Sequence, residues 1–109
     1  MKFSVIIPVF NRPDEINDLI QSIVDQKYRD LEIIVIEDGS SISSKKIIDS
    51  FKSKINLQYH EISNKGPGLA RNYGVKFANA EWIIFFDSDC TIPENYFYEV
   101  NKFLKSNED

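Results

Sequence analysis

A chain of 109 residues, 42% hydrophobic and 28% charged, has room for one packed core and too little for two. Those proportions exclude disorder as the default state, and a net charge of −4 with scattered Lys and Arg leaves no basic footprint for nucleic acid. Cys90 is the single cysteine, which excludes an internal disulfide and reads as a small buried side chain. The first ten residues lack the pattern of a secretory leader, and no apolar run approaches the roughly 20 residues that span a bilayer. The expected location is cytoplasmic.

Phe3 to Val9 is β-rich and almost continuously apolar, as in a strand covered on both faces. Asn11 is expected to cap the helix that follows, with Pro13 in its first turn and Asp14 and Glu15 at the positive end of its dipole. Ile16, Leu19, Ile20, Ile23 and Val24 then recur at helical spacing. Leu31 to Ile36 predicts a second strand running into Glu37-Asp38-Gly39-Ser40-Ser41. The serines of 40–44 are expected to cap a second helix, with Ile47, Ile48 and Phe51 turned inward.

From Asn56 to Ile62 the pattern alternates, Leu57 and Tyr59 against Gln58 and His60, which suggests a strand near the sheet edge. Asn64-Lys65-Gly66-Pro67-Gly68 reads as a loop. It opens a third helix with Ala70, Tyr73, Phe77 and Ala78 on one stripe. Trp82 to Phe86 predicts a fourth, buried strand that holds Asp87-Ser88-Asp89 at its tip, and Pro93 starts a last helix carrying Phe97, Val100 and Leu104.

The β-α alternation predicts a Rossmann-like α/β sandwich of three layers, with a mainly parallel sheet in the order 3-2-1-4. Four parallel strands are few, and no strand signal follows residue 90; either a small flavodoxin-like unit ends here or a larger sheet is cut. Ligands of such sheets settle outside the carboxyl ends of the strands, at the switch point between strands one and four. Pro8, Phe10 and Asn11 meet Asp87, Ser88 and Asp89 there. Strand two brings Glu37 and Asp38 to the same edge, and the loop and helix after strand three bring Asn64, Lys65, Gly66, Arg71 and Asn72.

Each residue also has a plainer reading. Asp87-Ser88-Asp89 is a site for a hard cation or a turn whose aspartates solvate the strand end. Asp38 is a turn residue or an acceptor for an N–H on a base edge. Arg71 can be an ordinary surface ion pair, Lys65 a phosphate contact or none, and His60 a structural or solvated side chain. No Gly-x-x-x-x-Gly-Lys-Ser/Thr is present, and the first strand-helix turn lacks Gly-x-Gly-x-x-Gly. That argues against a P-loop NTPase and a dinucleotide oxidoreductase. An aspartyl-phosphate receiver would need an acidic pair where Phe10-Asn11 stands.

Four blocks in this order, Phe3–Asn11, Glu32–Ser40, Asn64–Gly74 and Phe86–Asp89, resemble the N-terminal, nucleotide-sugar-binding half of the family 2 glycosyltransferases. The blocks span essentially the whole chain. The resemblance implies a GT-A fold and an inverting, metal-dependent transfer from a nucleotide-diphosphate sugar to an acceptor hydroxyl, in glycan or cell-envelope polysaccharide synthesis. It implies Pro8, Phe10 and Asn11 as the lining of the nucleotide pocket, and Asp38 as acceptor for the base N–H with Glu37 beside it. Arg71 falls near base or phosphates, Asp87 with Ser88 near the ribose or donor sugar, and Asp89 on Mn²⁺ or Mg²⁺. A UDP-sugar is the expected donor, a glycan or lipid-linked molecule the acceptor, and the full protein could associate peripherally with a membrane.

Two departures from the family pattern stand at Glu37, where Asp is common, and at Ile42, where an acidic residue is common. Residues 1–109 read as one partial domain whose acceptor half and catalytic base are expected beyond Asp109; Glu94 and Glu99 match no such motif. The alternative is a non-catalytic nucleotide-binding or interaction module of the same fold.

Overall fold

The computed structural model describes residues 1–107. In chain order it contains β1 (Phe3–Val9), α1 (Pro13–Asp25), β2 (Leu31–Asp38), α2 (Lys45–Phe51), β3 (Leu57–Ile62), α3 (Pro67–Val75), β4 (Trp82–Phe85) and α4 (Tyr96–Ser106). All strand pairs are parallel and the sheet order is β3-β2-β1-β4, as the alternation predicts. Among the described residues no helix is long and apolar enough to cross a membrane.

Every residue of β1 and β2 is buried, because both strands are central and helices cover both faces. Alternate residues part to opposite sides of a strand, and the core divides accordingly. Phe3, Val5, Ile7, Val9, Ile33 and Val35 face one way, packed with Ile16, Leu19, Ile20 and Ile23 of α1, Ile48 and Phe51 of α2, and Phe97 of α4. Ile6, Ile34 and Ile36 face the other way, onto Ala70 of α3, with Ile62, Tyr73, Phe77 and Ala78 around them. His60 belongs to this second face and stacks on Phe77 with ring centroids 3.7 Å apart, so its role is structural.

The close seat of α3 depends on Gly74. A Cβ at that position would stand 2.6 Å from the buried, β-branched Ile6 and 3.3 Å from Ile36. Gly74→Ala is therefore expected to lower stability by about 1–2 kcal/mol despite alanine's better helix propensity, read as a lower urea midpoint with unchanged slope.

Three local expectations are corrected. Asn11 does not cap α1: Arg12 occupies the cap position, and no side chain bonds there. The last helix begins at Tyr96 rather than Pro93, after Asn95 turns through a left-handed conformation with φ 61°. Among the described residues the fourth strand is not buried. It forms a sheet edge, with Trp82 44% and Phe85 47% exposed, so only Ile84 and the following Phe86 anchor it in the core.

Candidate functional site

At the carboxyl ends of the strands lies an open cleft of about 450 Å³, lined by Pro8, Val9, Phe10, Arg12, Glu15, Asp38, Pro67, Asp87, Ser88 and Asp89. Six of the nine residues to which the family resemblance gives a ligand role meet here: Pro8, Phe10, Asp38, Asp87, Ser88 and Asp89. The other three, Asn11, Glu37 and Arg71, stand behind the lining and hold it.

Asp38 ends β2 on the α3 face and is 4% exposed. Both its oxygens accept backbone N–H groups of the β3–α3 loop, from Lys65 at 2.6 Å and Gly66 at 2.8 Å. Each carboxylate oxygen has a second lone pair, so Asp38 fastens the loop and keeps acceptor capacity toward the cleft. Gly39 makes the approach possible: its φ is +71°, and a Cβ there would lie 2.7 Å from the Asn64 nitrogen.

Glu37 points the other way, with the row of Ile33 and Val35. The expectation that it stands beside Asp38 at the ligand is therefore corrected. Its buried carboxylate accepts the Ser44 N–H (2.7 Å), the Ser44 hydroxyl (2.6 Å), the Ser40 hydroxyl (2.6 Å) and the Tyr59 hydroxyl (3.1 Å). This side chain organises the start of α2, where Ser44 itself makes no side-chain cap. Burial, followed by the nearby carboxylates, raises the Tyr59 pKa and keeps its hydroxyl protonated as a donor.

The same cluster fixes Asn11. Its N–H donates to Ser40 Oγ at 2.8 Å, and its Oδ1 accepts the Ile42 N–H at 3.0 Å and the Ser41 hydroxyl at 3.3 Å. Asn11 takes φ 52°, a conformation that asparagine tolerates better than most residues. Asn11 therefore ties the β1–α1 corner to the β2–α2 loop rather than lining the pocket.

Because β4 is an edge, the acidic loop after it is steadied from the sides. Arg71 Nη2 of α3 donates to Asp87 Oδ1 at 2.6 Å, and Ser88 Oγ lies 3.4 Å from Glu15 Oε2 of α1. The Cys90 N–H closes the turn onto the Asp87 carbonyl at 3.0 Å. Arg71 compensates Asp87, while Asp89 has no ion pair among the described residues. Oxygen donors of this kind suit Mg²⁺ or Mn²⁺. Among the described residues no group of three His, Cys, Asp or Glu could hold a metal by itself. A cation here would have to complete its shell with ligand oxygens and water, as Mg²⁺ commonly does with phosphates.

The sequence reading overlooked Arg12, Glu15 and Pro67. Their signal was positional: each lies at or just inside the start of a helix that follows a strand tip, where an open parallel sheet presents its ligand.

Residues 4–109 match the sequence profile of glycosyl transferase family 2. The chain belongs to that family. An uncharacterized glycosyltransferase of Rickettsia bellii is 38% identical over 97% of this chain and 15% of its own length. The poly(ribitol-phosphate) beta-N-acetylglucosaminyltransferase TarS of Staphylococcus aureus is 32% identical over 95% of this chain and 19% of its own length. The crystal structure of TarS 1-349 in complex with UDP-GlcNAc superposes with a TM-score of 0.92, covering 97% of this chain and 32% of that one.

A mannosyltransferase of Pyrobaculum calidifontis, solved with GDP-Man and Mn²⁺, shares the fold at a TM-score of 0.86 and 24% identity, over 94% of this chain and 32% of its own. The chain thus spans under a fifth of the length of these curated relatives and about a third of the solved chains. The family 2 assignment carries the GT-A fold with it, and the strand order agrees.

Proposed function

We propose that this chain is the donor-binding part of an inverting, metal-dependent glycosyltransferase that takes a nucleotide-diphosphate sugar, a UDP-sugar foremost. The observation that carries the reading is the cleft itself, where apolar Pro8 and Phe10 share one lining with Asp38, Asp87 and Asp89 at the strand tips. TarS, solved with UDP-GlcNAc, supports the choice of uridine, and the fold likeness to an enzyme holding Mn²⁺ agrees with a cation.

In this reading the half-exposed Phe10 ring and Pro8 flank the base, and the free lone pairs of Asp38 accept its N–H. Asp87, held by Arg71, faces the ribose or the donor sugar, with Ser88 beside it. Asp89 holds the cation. When bound, a divalent cation neutralises the charge that grows on the departing diphosphate. Displacement with inversion also needs a base that deprotonates the acceptor hydroxyl from the opposite face. No residue of the cleft is assigned that role. The base and the acceptor site are proposed to belong to polypeptide outside these 109 residues, the acceptor being a glycan or a lipid-linked polymer. The chain alone should bind donor and transfer no sugar.

Calorimetric titration with UDP and GDP, with and without Mn²⁺, tests this. UDP should bind more tightly than GDP and gain roughly tenfold or more from Mn²⁺, about 1.4 kcal/mol. Asp89→Ala should remove that gain and leave the metal-free affinity alone. Full metal dependence in Asp89→Ala would move the cation elsewhere, and UDP binding indifferent to Mn²⁺ would refute the metal-dependent reading.

A further inference from the structure

Four carboxylates line the cleft, from Glu15, Asp38, Asp87 and Asp89, and a diphosphate would add further negative charge to them. Arg12 is the one basic side chain among the lining residues. Arg71 is already engaged with Asp87 at 2.6 Å and reaches the cleft only through that aspartate. Arg12 is held far more loosely. Its Nε lies 3.7 Å from Glu15 Oε2, one helical turn along, and the Arg12 side chain is 60% exposed. A surface pair of that length and exposure contributes little, so the guanidinium is free to exchange it for a better acceptor.

The backbone beneath Arg12 is not loose. Asn11 in its left-handed conformation is clasped by Ser40, Ser41 and Ile42, and Pro13 sets the first turn of α1 immediately afterwards. A pinned main chain thus presents an exposed, weakly paired guanidinium to the cleft.

We infer that Arg12 is a diphosphate-binding residue: its guanidinium leaves Glu15 and takes pyrophosphate oxygens, sharing the neutralisation of that group with the cation at Asp89. The planar fork of arginine matches phosphate oxygens two at a time, which a lysine ammonium does not. The inference rests on the donor-binding reading above and adds a residue to it. Glu15, released by Arg12, remains beside Ser88 and continues to steady the acidic loop.

The test uses inorganic pyrophosphate, UDP and uridine as probes, with Mn²⁺ present, on the wild-type chain, Arg12→Ala and Arg12→Lys. Arg12 is exposed, so neither variant threatens folding. Arg12→Ala should weaken pyrophosphate and UDP about tenfold and leave uridine unchanged, with Arg12→Lys between the two. Undiminished pyrophosphate binding in Arg12→Ala would overturn the inference. So would an equal loss for uridine, or a wild-type chain that binds no pyrophosphate at all. The two levels separate cleanly. Pyrophosphate binding without UDP binding sinks the donor reading and leaves Arg12 standing. An Arg12→Ala variant that binds like wild type, while Asp89→Ala loses its metal dependence, does the reverse.

Discussion

Replacing Glu37 by alanine is expected to lower the free energy of unfolding by roughly 3–5 kcal/mol, the sum of several lost charge-assisted hydrogen bonds and the stranded donors. The carboxylate is 3% exposed and accepts from Ser44 twice, from Ser40 and from Tyr59. Removing it leaves the Ser44 N–H, at the mouth of α2, with no acceptor in a site that water does not reach. Glu37→Gln keeps one oxygen and most of the volume, and should cost about 1–2 kcal/mol. Urea unfolding of the two variants measures both figures.

The same pair of variants decides what Glu37 is for. Held at temperatures where Glu37→Gln stays folded, that variant should bind Mn²⁺ and UDP within about threefold of wild type, a difference under 1 kcal/mol. The carboxylate touches the cleft only through Ser40, which passes the effect to Asn11. A glutamine variant as stable as wild type but deficient in UDP binding would return Glu37 to the ligand, against the geometry.

The layout of this fold was open to reading because the central strands are buried on both sides. β1 and β2 are nearly unbroken apolar runs, and every helix that follows a strand carries an apolar stripe of its own. The alternation of β3 also marked it as an edge strand, whereas β4 gave no such sign. Trp82-Ile83-Ile84-Phe85 has the composition of a central strand, and among the described residues it stands at the sheet's margin, since composition reports what a strand could bury and not what lies beside it. Within the described residues Arg71 and Glu15, from the flanking helices, steady the acidic loop.

Within the site, strand parity carried more information than was drawn from it. Glu37 and Asp38 are adjacent on an extended strand, so they must face opposite layers. With Ile33 and Val35 toward α1 and Ile34 and Ile36 toward α3, only Asp38 could meet the β3–α3 loop. By contrast, the clasp of Asn11 by the β2–α2 loop has no local signature. It joins residues about thirty positions apart, through side-chain oxygens that equally suit a cap or a turn. Arg12 was overlooked for a related reason: whether a residue at a helix start faces the cleft depends on how that corner is pinned.

A second large effect is expected at the opposite end of the sheet, under acid. Glu32, 1% exposed, accepts the Ser4 hydroxyl at 2.6 Å and the Asn79 N–H at 2.7 Å, with the Asn79 and Gln58 amides each at 3.3 Å. Burial alone would raise its pKa, but these donors outweigh it and bring the value below the ordinary 4.5. A carboxylate depressed in the folded state contributes stability above its unfolded pKa and loses it as the pH falls through the folded one. His60, joined to this network through Gln58 at 3.0 Å, is shifted down from 6.5 by burial against Phe77. Its neutral form is favoured in the fold, so stability starts to fall once the pH drops below about 6.5, where the unfolded chain takes up the proton first. Thermal midpoints measured from pH 7 down to pH 3 should therefore decline in two stages. His60→Gln should flatten the upper stage. Glu32→Gln should lower stability by about 1–3 kcal/mol at pH 7 and flatten the lower stage. Because this network lies away from the strand tips, UDP binding by folded Glu32→Gln should match wild type at pH 7. Parallel pH profiles for all three proteins would show that neither group carries the acid sensitivity.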